Sequence, residues 1–316
     1  MTLSIGIDVG GTKIAAGRVD EDGVIVARAR RSTPAQSPDE IAAAIVDLIE
    51  ELSAPDVCAV GVACAGYIDK AGTTVLFSPN LAWRDEPLKE RICRHTTLPV
   101  VIENDANAAA YGEFVHGAGR SLQDMVMITV GTGVGGGVVN DGRLLRGAFG
   151  IGGEIGHMVV VPGGRLCGCG NRGCLEAYGS GTALTREARE LVRSGAQFSA
   201  RLSQLCHGDA NRLTGAMVTG AAVEGDAASI DLLAQIGNCV GEAASSMAAL
   251  LDPEGFVIGG GVADAGELLI EPMRAAFGRS LTGRGYRPIA QFVQAELGND
   301  AGVIGAAVLA LSAVDQ

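Results

Sequence analysis

Three residue patterns in this chain are suited to chemistry: a carboxylate where a strand turns into a helix, glycine turns carrying hydroxyls, and a bunch of cysteines with a histidine. In Val101-Ile-Glu-Asn-Asp-Ala-Asn-Ala-Ala-Ala-Tyr-Gly-Glu113 an apolar run passes into a helix-forming run. Asn104 and Asp105 fall at that switch, at the open end of a strand, where ligands bind in open α/β sheets. Asn104 offers both a donor and an acceptor to a hydroxyl. Asp105 can accept the proton of an attacking hydroxyl. An Asp105 that merely caps the following helix explains the same residue without chemistry. The two roles are compatible only if the carboxylate is free to point outward.

Glycine turns follow apolar runs at Ile7-Asp-Val-Gly-Gly-Thr-Lys13 and at Ile128-Thr-Val-Gly-Thr-Gly-Val-Gly135, with a third at Ile258-Gly-Gly-Gly-Val262. Without a Cβ at Gly10, Gly11, Gly131 and Gly133, backbone N–H groups can approach phosphate oxygens. Thr12 and Thr132 add hydroxyls at equivalent places, Lys13 adds a point charge, and Asp8 can hold Mg²⁺ directly or through water. No turn continues into the Gly-Lys-Ser/Thr of a P-loop. Gly131-Thr-Gly133 lacks the acidic residue that a dinucleotide fingerprint needs about 20 positions on. Tight packing would account for one such loop. Two copies, each ending an apolar strand and each carrying a threonine, point to related domains facing one nucleotide.

Cys167-Gly-Cys-Gly-Asn-Arg-Gly-Cys174-Leu-Glu176 holds three thiols among glycine turns, and Gly152-Gly-Glu-Ile-Gly-His157 precedes it. Cys167, Cys169, Cys174 and His157 form a complete tetrahedral set for a structural zinc ion, although the spacing is unlike common zinc fingers. A disulfide is the main alternative, disfavoured where thiols stay reduced. Such a site would bring Glu154 and Glu176 near each other. If zinc takes one ring nitrogen of His157, the other can donate to a sugar oxygen. Both glutamates read equally as surface carboxylates.

The elements that must hold these groups alternate strand-like and helical runs, the pattern of an α/β protein. Strand-like runs cover 3–9, 57–63, 100–103, 125–130, 255–258 and 289–293. Ser37 and Glu40 form a capping box around Pro38, and Ile41, Ile45, Leu48, Ile49 and Leu52 give the helix one apolar face. Further helices are expected over 105–115, 226–251 and 302–311, and Asn140-Asp-Gly142 marks a hairpin turn. The 316 residues suffice for two domains. A net charge of −12 argues against a nucleic-acid partner. No basic and apolar leader opens the sequence and no apolar stretch is long enough to span a bilayer, so a cytoplasmic protein without membrane contact is expected.

Gly6-Ile-Asp-Val-Gly-Gly-Thr-Lys13, Glu103-Asn-Asp-Ala-Asn107, Gly131-Thr-Gly-Val-Gly135, Gly153-Glu-Ile-Gly-His157 and Cys167 to Glu176 occur in this order along most of the chain. Together they resemble the ROK sugar kinases, and within them the actinobacterial-type ATP-dependent glucokinases. The resemblance implies an actin-like, hexokinase-type fold of two α/β domains, duplicated ribonuclease H-like units flanking a cleft. It places a small domain over 1–106 plus 302–316 and a large domain with the zinc-binding loop over 107–301. It implies ATP with Mg²⁺ as donor and structural zinc. The implied acceptor is D-glucose at its C6 hydroxyl, with mannose, fructose, N-acetylmannosamine or N-acetylglucosamine as alternatives and polyphosphate as an alternative donor. By resemblance Asp105 is the base, and Gly66, Asn80, Asn104, Asp105, Glu154, His157 and Glu176 touch the sugar. Asp8, Gly10, Gly11, Thr12, Lys13, Gly131, Thr132, Gly133 and Gly260 serve the nucleotide, and His157, Cys167, Cys169 and Cys174 bind zinc. A homo-oligomer, dimer or tetramer, is implied as well. The family includes repressors with a helix-turn-helix before the first phosphate loop. With Asp8 so near the start of this sequence and an acidic net charge, a kinase rather than a DNA-binding member is expected.

Overall fold

A computed structural model describes residues 2–314. The chain divides into two compact units, Met1–Gln123 with Gly137–Gly153 and Glu296–Gln316, and Asp124–Gly136 with Glu154–Ala295. In chain order the first elements are β1 (Leu3–Val9), β2 (Lys13–Asp20), β3 (Ile25–Ser32), α1 (Pro38–Leu52), β4 (Val57–Cys64), β5 (Tyr67–Ile68), β6 (Val75–Phe77), β7 (Arg84–Glu86), α2 (Leu88–Cys93), β8 (Val100–Asn104) and α3 (Asp105–His116). The main sheet has the order β3-β2-β1-β4-β8. Its outer hairpins are antiparallel, while β1, β4 and β8 run parallel. The parallel strands are covered and almost wholly apolar, as strands buried on both faces must be. On α1 the Ser37 hydroxyl accepts the Glu40 N–H at 3.3 Å, and the predicted apolar residues are all buried.

The chain continues through β9 (Met125–Val130), β10 (Val134–Asn140), β11 (Arg143–Leu144), α4 (Glu176–Gly179), α5 (Gly181–Arg193), α6 (Ala200–Leu205), α7 (Gly215–Val223), α8 (Ala227–Leu251), β12 (Gly255–Gly259), α9 (Glu267–Ser280), β13 (Gln291–Gln294) and α10 (Ala301–Val314). The second sheet has the order β11-β10-β9-β12-β13, with β9, β12 and β13 parallel. Position for position this repeats the first sheet: β1 corresponds to β9, β2 to β10, β4 to β12 and β8 to β13. The expected duplication of strand and glycine turn is therefore a duplication of whole sheets. Asp141 and Gly142, at φ 51° and 68°, make the predicted turn between β10 and β11.

In the first unit α10 lies against β1, β4 and α3. Side chains there would collide: a Cβ on Gly61 would fall 1.8 Å from the Ala306 carbonyl oxygen, and one on Gly305 would fall 1.7 Å from that of Ala108. Of the expected small domain, 1–106 plus 302–316, residues 2–106 and 302–314 fall within this unit, and residues 1, 315 and 316 lie outside the described residues. Residues 107–123, 137–153 and 296–301, which take in α3 and the loop after β11, fall within the unit as well. Among the described residues no helix is long and apolar enough to cross a membrane.

Candidate active site and metal centre

In the first unit the chemistry collects where β1, β4 and β8 end. Asn104 is the N-cap of α3: its Oδ1 accepts the Asn107 N–H at 3.0 Å, and its Nδ2 donates to the Gly66 carbonyl at 3.0 Å. Capping thus falls to Asn104, and Asp105 becomes the first helical residue. Its Oδ1 accepts the Ala106 N–H at 3.0 Å, and the residue keeps an edge exposed to solvent. Burial pushes the Asp105 carboxyl above the ordinary carboxylate range, against backbone N–H groups that favour its charge. Asp8 is pushed up to about 6, first by burial and then by the Asp105 charge, with Lys13 opposing. Two carboxylates that resist ionising side by side are what a cation or a proton-donating hydroxyl would complement. Cys64, buried beside them at the end of β4, is held as a neutral thiol by burial and by the charges of Asp105, Glu103 and Asp8.

The Gly10–Lys13 turn is closed by the Gly10 N–H donating to the Lys13 carbonyl at 3.0 Å. Thr33 pins it from β3's end, its hydroxyl donating to the Gly10 carbonyl at 2.7 Å and its N–H to that of Thr12 at 3.1 Å. Thr12 and Lys13 are exposed. Asn80 stands next to this turn, since a Cβ on Gly11 would lie 3.2 Å from the Asn80 Cβ. Arg84 holds the Asn80 loop by donating to the carbonyls of Ser78, Leu81 and Trp83 at 2.8, 3.2 and 2.5 Å, and stacks 4.3 Å from the Phe77 ring centre. Gly66, at φ 141°, admits no side chain because a Cβ would lie 2.3 Å from the Phe77 carbonyl oxygen. Asp8, Gly10, Gly11, Thr12, Lys13, Gly66, Asn80, Asn104 and Asp105 therefore gather at one end of one sheet. Sequence reasoning passed over Arg84 and Thr33, because their partners are backbone carbonyls that no residue pattern reveals.

It also passed over Glu103. This buried carboxylate accepts the Asn104 N–H at 2.9 Å and the Asn107 Nδ2 at 3.0 Å on one oxygen, and the Arg146 Nε at 2.5 Å on the other.

In the second unit Glu154 opens a short turn, Ile155–His157, by accepting the His157 N–H at its carbonyl at 3.0 Å. His157 Nδ1 lies 3.7 Å from Cys167 Sγ, and Cys169 Sγ lies 3.7 Å from Cys174 Sγ. The ligand atoms of all four lie within 4.8 Å of one another, and all eight cysteines are free thiols. With Zn–S bonds of about 2.3 Å, two sulfurs on one tetrahedral ion stand about 3.7 Å apart, so the residues fit such an ion. Burial pushes the Cys167 thiol up to about 12. Cys169 is held below the usual thiol value: burial opposes this, but hydrogen bonding from the Asn171 backbone and the neighbouring thiols favours its thiolate. A bound cation would displace the remaining protons.

The Gly131–Gly133 turn is gripped along its length. The Gly181 N–H donates to the Gly131 carbonyl at 2.7 Å, and the Thr182 hydroxyl and N–H donate to that of Thr132 at 2.7 and 3.3 Å. Glu176 Oε2 accepts the Val134 N–H at 3.1 Å, and a Cβ on Gly133 would lie 2.2 Å from that oxygen. The other oxygen of Glu176 is 3.6 Å from Cys167 Sγ. Glu176 thus stands between the thiol cluster and the turn. Gly260, at φ 87°, follows β12 as Gly66 follows β4, with its Cα against the Val130 backbone.

Two sheets of one topology, each with a glycine turn after its first strand, define the class: a duplicated α/β fold with two phosphate-type turns. The sequence profile of the ROK family matches residues 4–313, and the chain belongs to the ROK family. It is 42% identical over 311 residues to a glucokinase of Streptomyces coelicolor, covering 98% of each chain. The structure resembles that of a ROK family glucokinase from Streptomyces griseus in complex with glucose and AMPPNP, with a TM-score of 0.87 at 45% identity, covering 98% of this chain and 99% of that one. A ROK hexokinase from Thermus thermophilus matches with a TM-score of 0.83 at 34% identity, covering 99% of each.

Proposed function

We infer that this protein transfers the γ-phosphate of ATP to the C6 hydroxyl of D-glucose. The observation that carries this reading is the near full-length likeness to a ROK glucokinase solved with glucose and an ATP analogue. Asp105, released from capping by Asn104, accepts the O6 proton as O6 forms its bond to phosphorus and the bond to the ADP oxygen breaks. The pushed-up carboxyl of Asp105 suits a base that must take a proton near neutral pH. Glu154, His157 and Glu176 pair ring hydroxyls, as do Asn80 and the spare hydrogen-bonding capacity of Asn104. Gly66, whose carbonyl accepts the Asn104 amide, borders the sugar. Gly10 and Gly131 close the two turns with their own N–H groups. The N–H groups of Gly11, Thr12, Thr132 and Gly133 are left for phosphate oxygens, with the Thr12 and Thr132 hydroxyls and Lys13 adding donors and Gly260 bordering the adenosine. Mg²⁺ carried with ATP neutralises phosphate charge, and Asp8 is the carboxylate suited to hold it.

His157, Cys167, Cys169 and Cys174 would hold a structural zinc ion that would pin the loop between His157 and Glu176, and because the His157 Nδ1 faces the Cys167 thiol, its Nε2 would be left for a sugar oxygen. Most of the catalysis is positioning and charge neutralisation.

A coupled ADP-release assay over glucose, mannose, fructose, N-acetylglucosamine and N-acetylmannosamine, with ATP or polyphosphate as donor, tests the assignment. Glucose with ATP is expected to give the highest kcat/KM. Each ring hydroxyl left without its buried partner costs about 1–3 kcal/mol, so mannose should trail by about tenfold or more. A higher kcat/KM for another sugar would replace glucose while leaving a hexose kinase.

A further inference from the structure

We propose that Arg146 is a positioning residue for the acceptor sugar, acting through the buried carboxylate of Glu103. The proposal rests on the reading of Asp105 as base and Glu154 as sugar ligand. Glu103 is the penultimate residue of β8 and is 3% exposed. One of its oxygens fixes the strand-to-helix junction from beneath, accepting the Asn104 N–H at 2.9 Å and the Nδ2 of the buried Asn107 at 3.0 Å. The other oxygen receives the Arg146 Nε at 2.5 Å, the one ion pair Glu103 makes among the described residues. The junction that presents Asp105 therefore hangs on a carboxylate whose charge is matched by a side chain from a distant part of the chain.

Arg146 belongs to the loop after β11, and its own carbonyl accepts the Gly152 N–H at 3.0 Å, closing residues 146–152 into a ring. The space at Gly152 is taken up by the same residue, since a Cβ there would lie 3.1 Å from the Arg146 carbonyl. Gly150 anchors the far side of the ring, its backbone seated on Ile68 and Asp69 so closely that a Cβ would come within 2.4 Å of the Ile68 oxygen. The chain leaves this ring directly into Glu154 and the turn that carries His157. One residue thus ties the two together: the Arg146 guanidinium holds the junction bearing the base, and the Arg146 carbonyl closes the ring from which the segment bearing the sugar ligands starts. Among the described residues no hydrogen bond or ion pair ties Arg146 to the Gly10–Lys13 turn. Its loss should be felt at the sugar and not at the nucleotide.

The experiment measures steady-state kinetics in both substrates for Arg146→Gln, Arg146→Lys and the double variant Glu103→Gln/Arg146→Gln, with a thermal melt of each. Removing Arg146 alone leaves a buried carboxylate unpaired and should destabilise. The double variant removes that charge and keeps an acceptor for Asn104 and Asn107, so it should melt near the parent. Arg146→Gln and the double variant are each expected to raise the glucose KM about tenfold with the ATP KM within about twofold. Arg146→Lys should recover part of the loss, since an ammonium restores charge but not the fixed fork geometry. Where Arg146→Gln does not fold, the double variant carries the test. An unchanged glucose KM in the double variant, or an ATP KM rising with it, overturns the proposal. A parent enzyme inactive on glucose would instead overturn the functional reading on which it rests.

Discussion

Asp105 and Asn104 are neighbours with divided duties. Either residue type caps a helix well, so sequence leaves open which one does. The backbone decides: Asn104 sits at φ −65°, ψ 144°, the extended geometry of a cap, and spends its Oδ1 on the Asn107 N–H. Asp105→Asn keeps size and helix start while removing the proton acceptor. It should lower kcat about 10²- to 10⁴-fold with the glucose KM nearly unchanged, and near-normal turnover would remove Asp105 from its role. Asp8 gives a second residue-scale expectation. It must be ionised to hold Mg²⁺, and its value of about 6 stands above the 3.8 of an ordinary aspartate. Activity carried by the charged form rises as pH climbs through the pKa. The kcat/KM for ATP, which reports the free enzyme, should therefore lose activity below about pH 6. The acid limb of kcat should lie lower, because a bound cation favours the carboxylate. A kcat/KM for ATP that stays flat down to about pH 4 would contradict this.

At the scale of elements, the strands that run parallel and buried were legible, since a continuous apolar run has no other comfortable place. The predicted run over 3–9 is β1 residue for residue, and 125–130 is β9. The edge strand β3 was not legible, because Arg28, Arg30 and Arg31 break its pattern and alternate residues face solvent. Helix α9 was hidden by Pro272, which stands inside it. The grip on the Gly131–Gly133 turn was invisible for another reason: Gly181 and Thr182 work through backbone carbonyls of residues fifty positions away. Thr182→Val removes the 2.7 Å bond to Thr132 and leaves only the longer one. The ATP KM should rise about threefold to tenfold, in line with about 1 kcal/mol for one hydrogen bond. Thr182→Ser should restore it, and the glucose KM should not move. The metal loop belongs to this scale too. The protein should carry about one zinc per chain by elemental analysis, and Cys169→Ser should lower that content. Because Glu176 lies against both Cys167 and the turn, the same variant should raise the glucose KM as well. Active protein without zinc would end this reading.

At the scale of the molecule, the duplication was faintly visible as two glycine turns and is complete as two five-stranded sheets of one order. The family resemblance assigns 302–316 to the domain of 1–106, but composition and periodicity alone could not show how the first unit closes. Its sheet begins at the N-terminus, yet α10 arrives from the far end of the chain to cover β1 and β4 and to meet α3. The periodicity of α10 gave no warning, because Ala301 through Ala310 are buried all the way round. Such a helix can lie this deep only where backbones nearly touch. Gly61 and Gly305 mark the two tightest points, against α10's own Ala306 carbonyl and the Ala108 carbonyl of α3. A methyl at either point meets main chain, which cannot swing aside as a side chain would. Gly305→Ala should therefore destabilise the first unit by about 2–4 kcal/mol despite the better helix propensity of alanine. For a unit of this size that corresponds to a melting transition roughly 5–15 °C lower. Gly278→Ala is the control, because that helix position of α9 has open space around it, and it should leave the melt unchanged or slightly raised. A Gly305→Ala protein that melts with the parent, while Gly278→Ala behaves as expected, would mean that α10 is not held against α3 at that distance. The support for α3, the helix that begins at Asp105, would then have to be sought elsewhere.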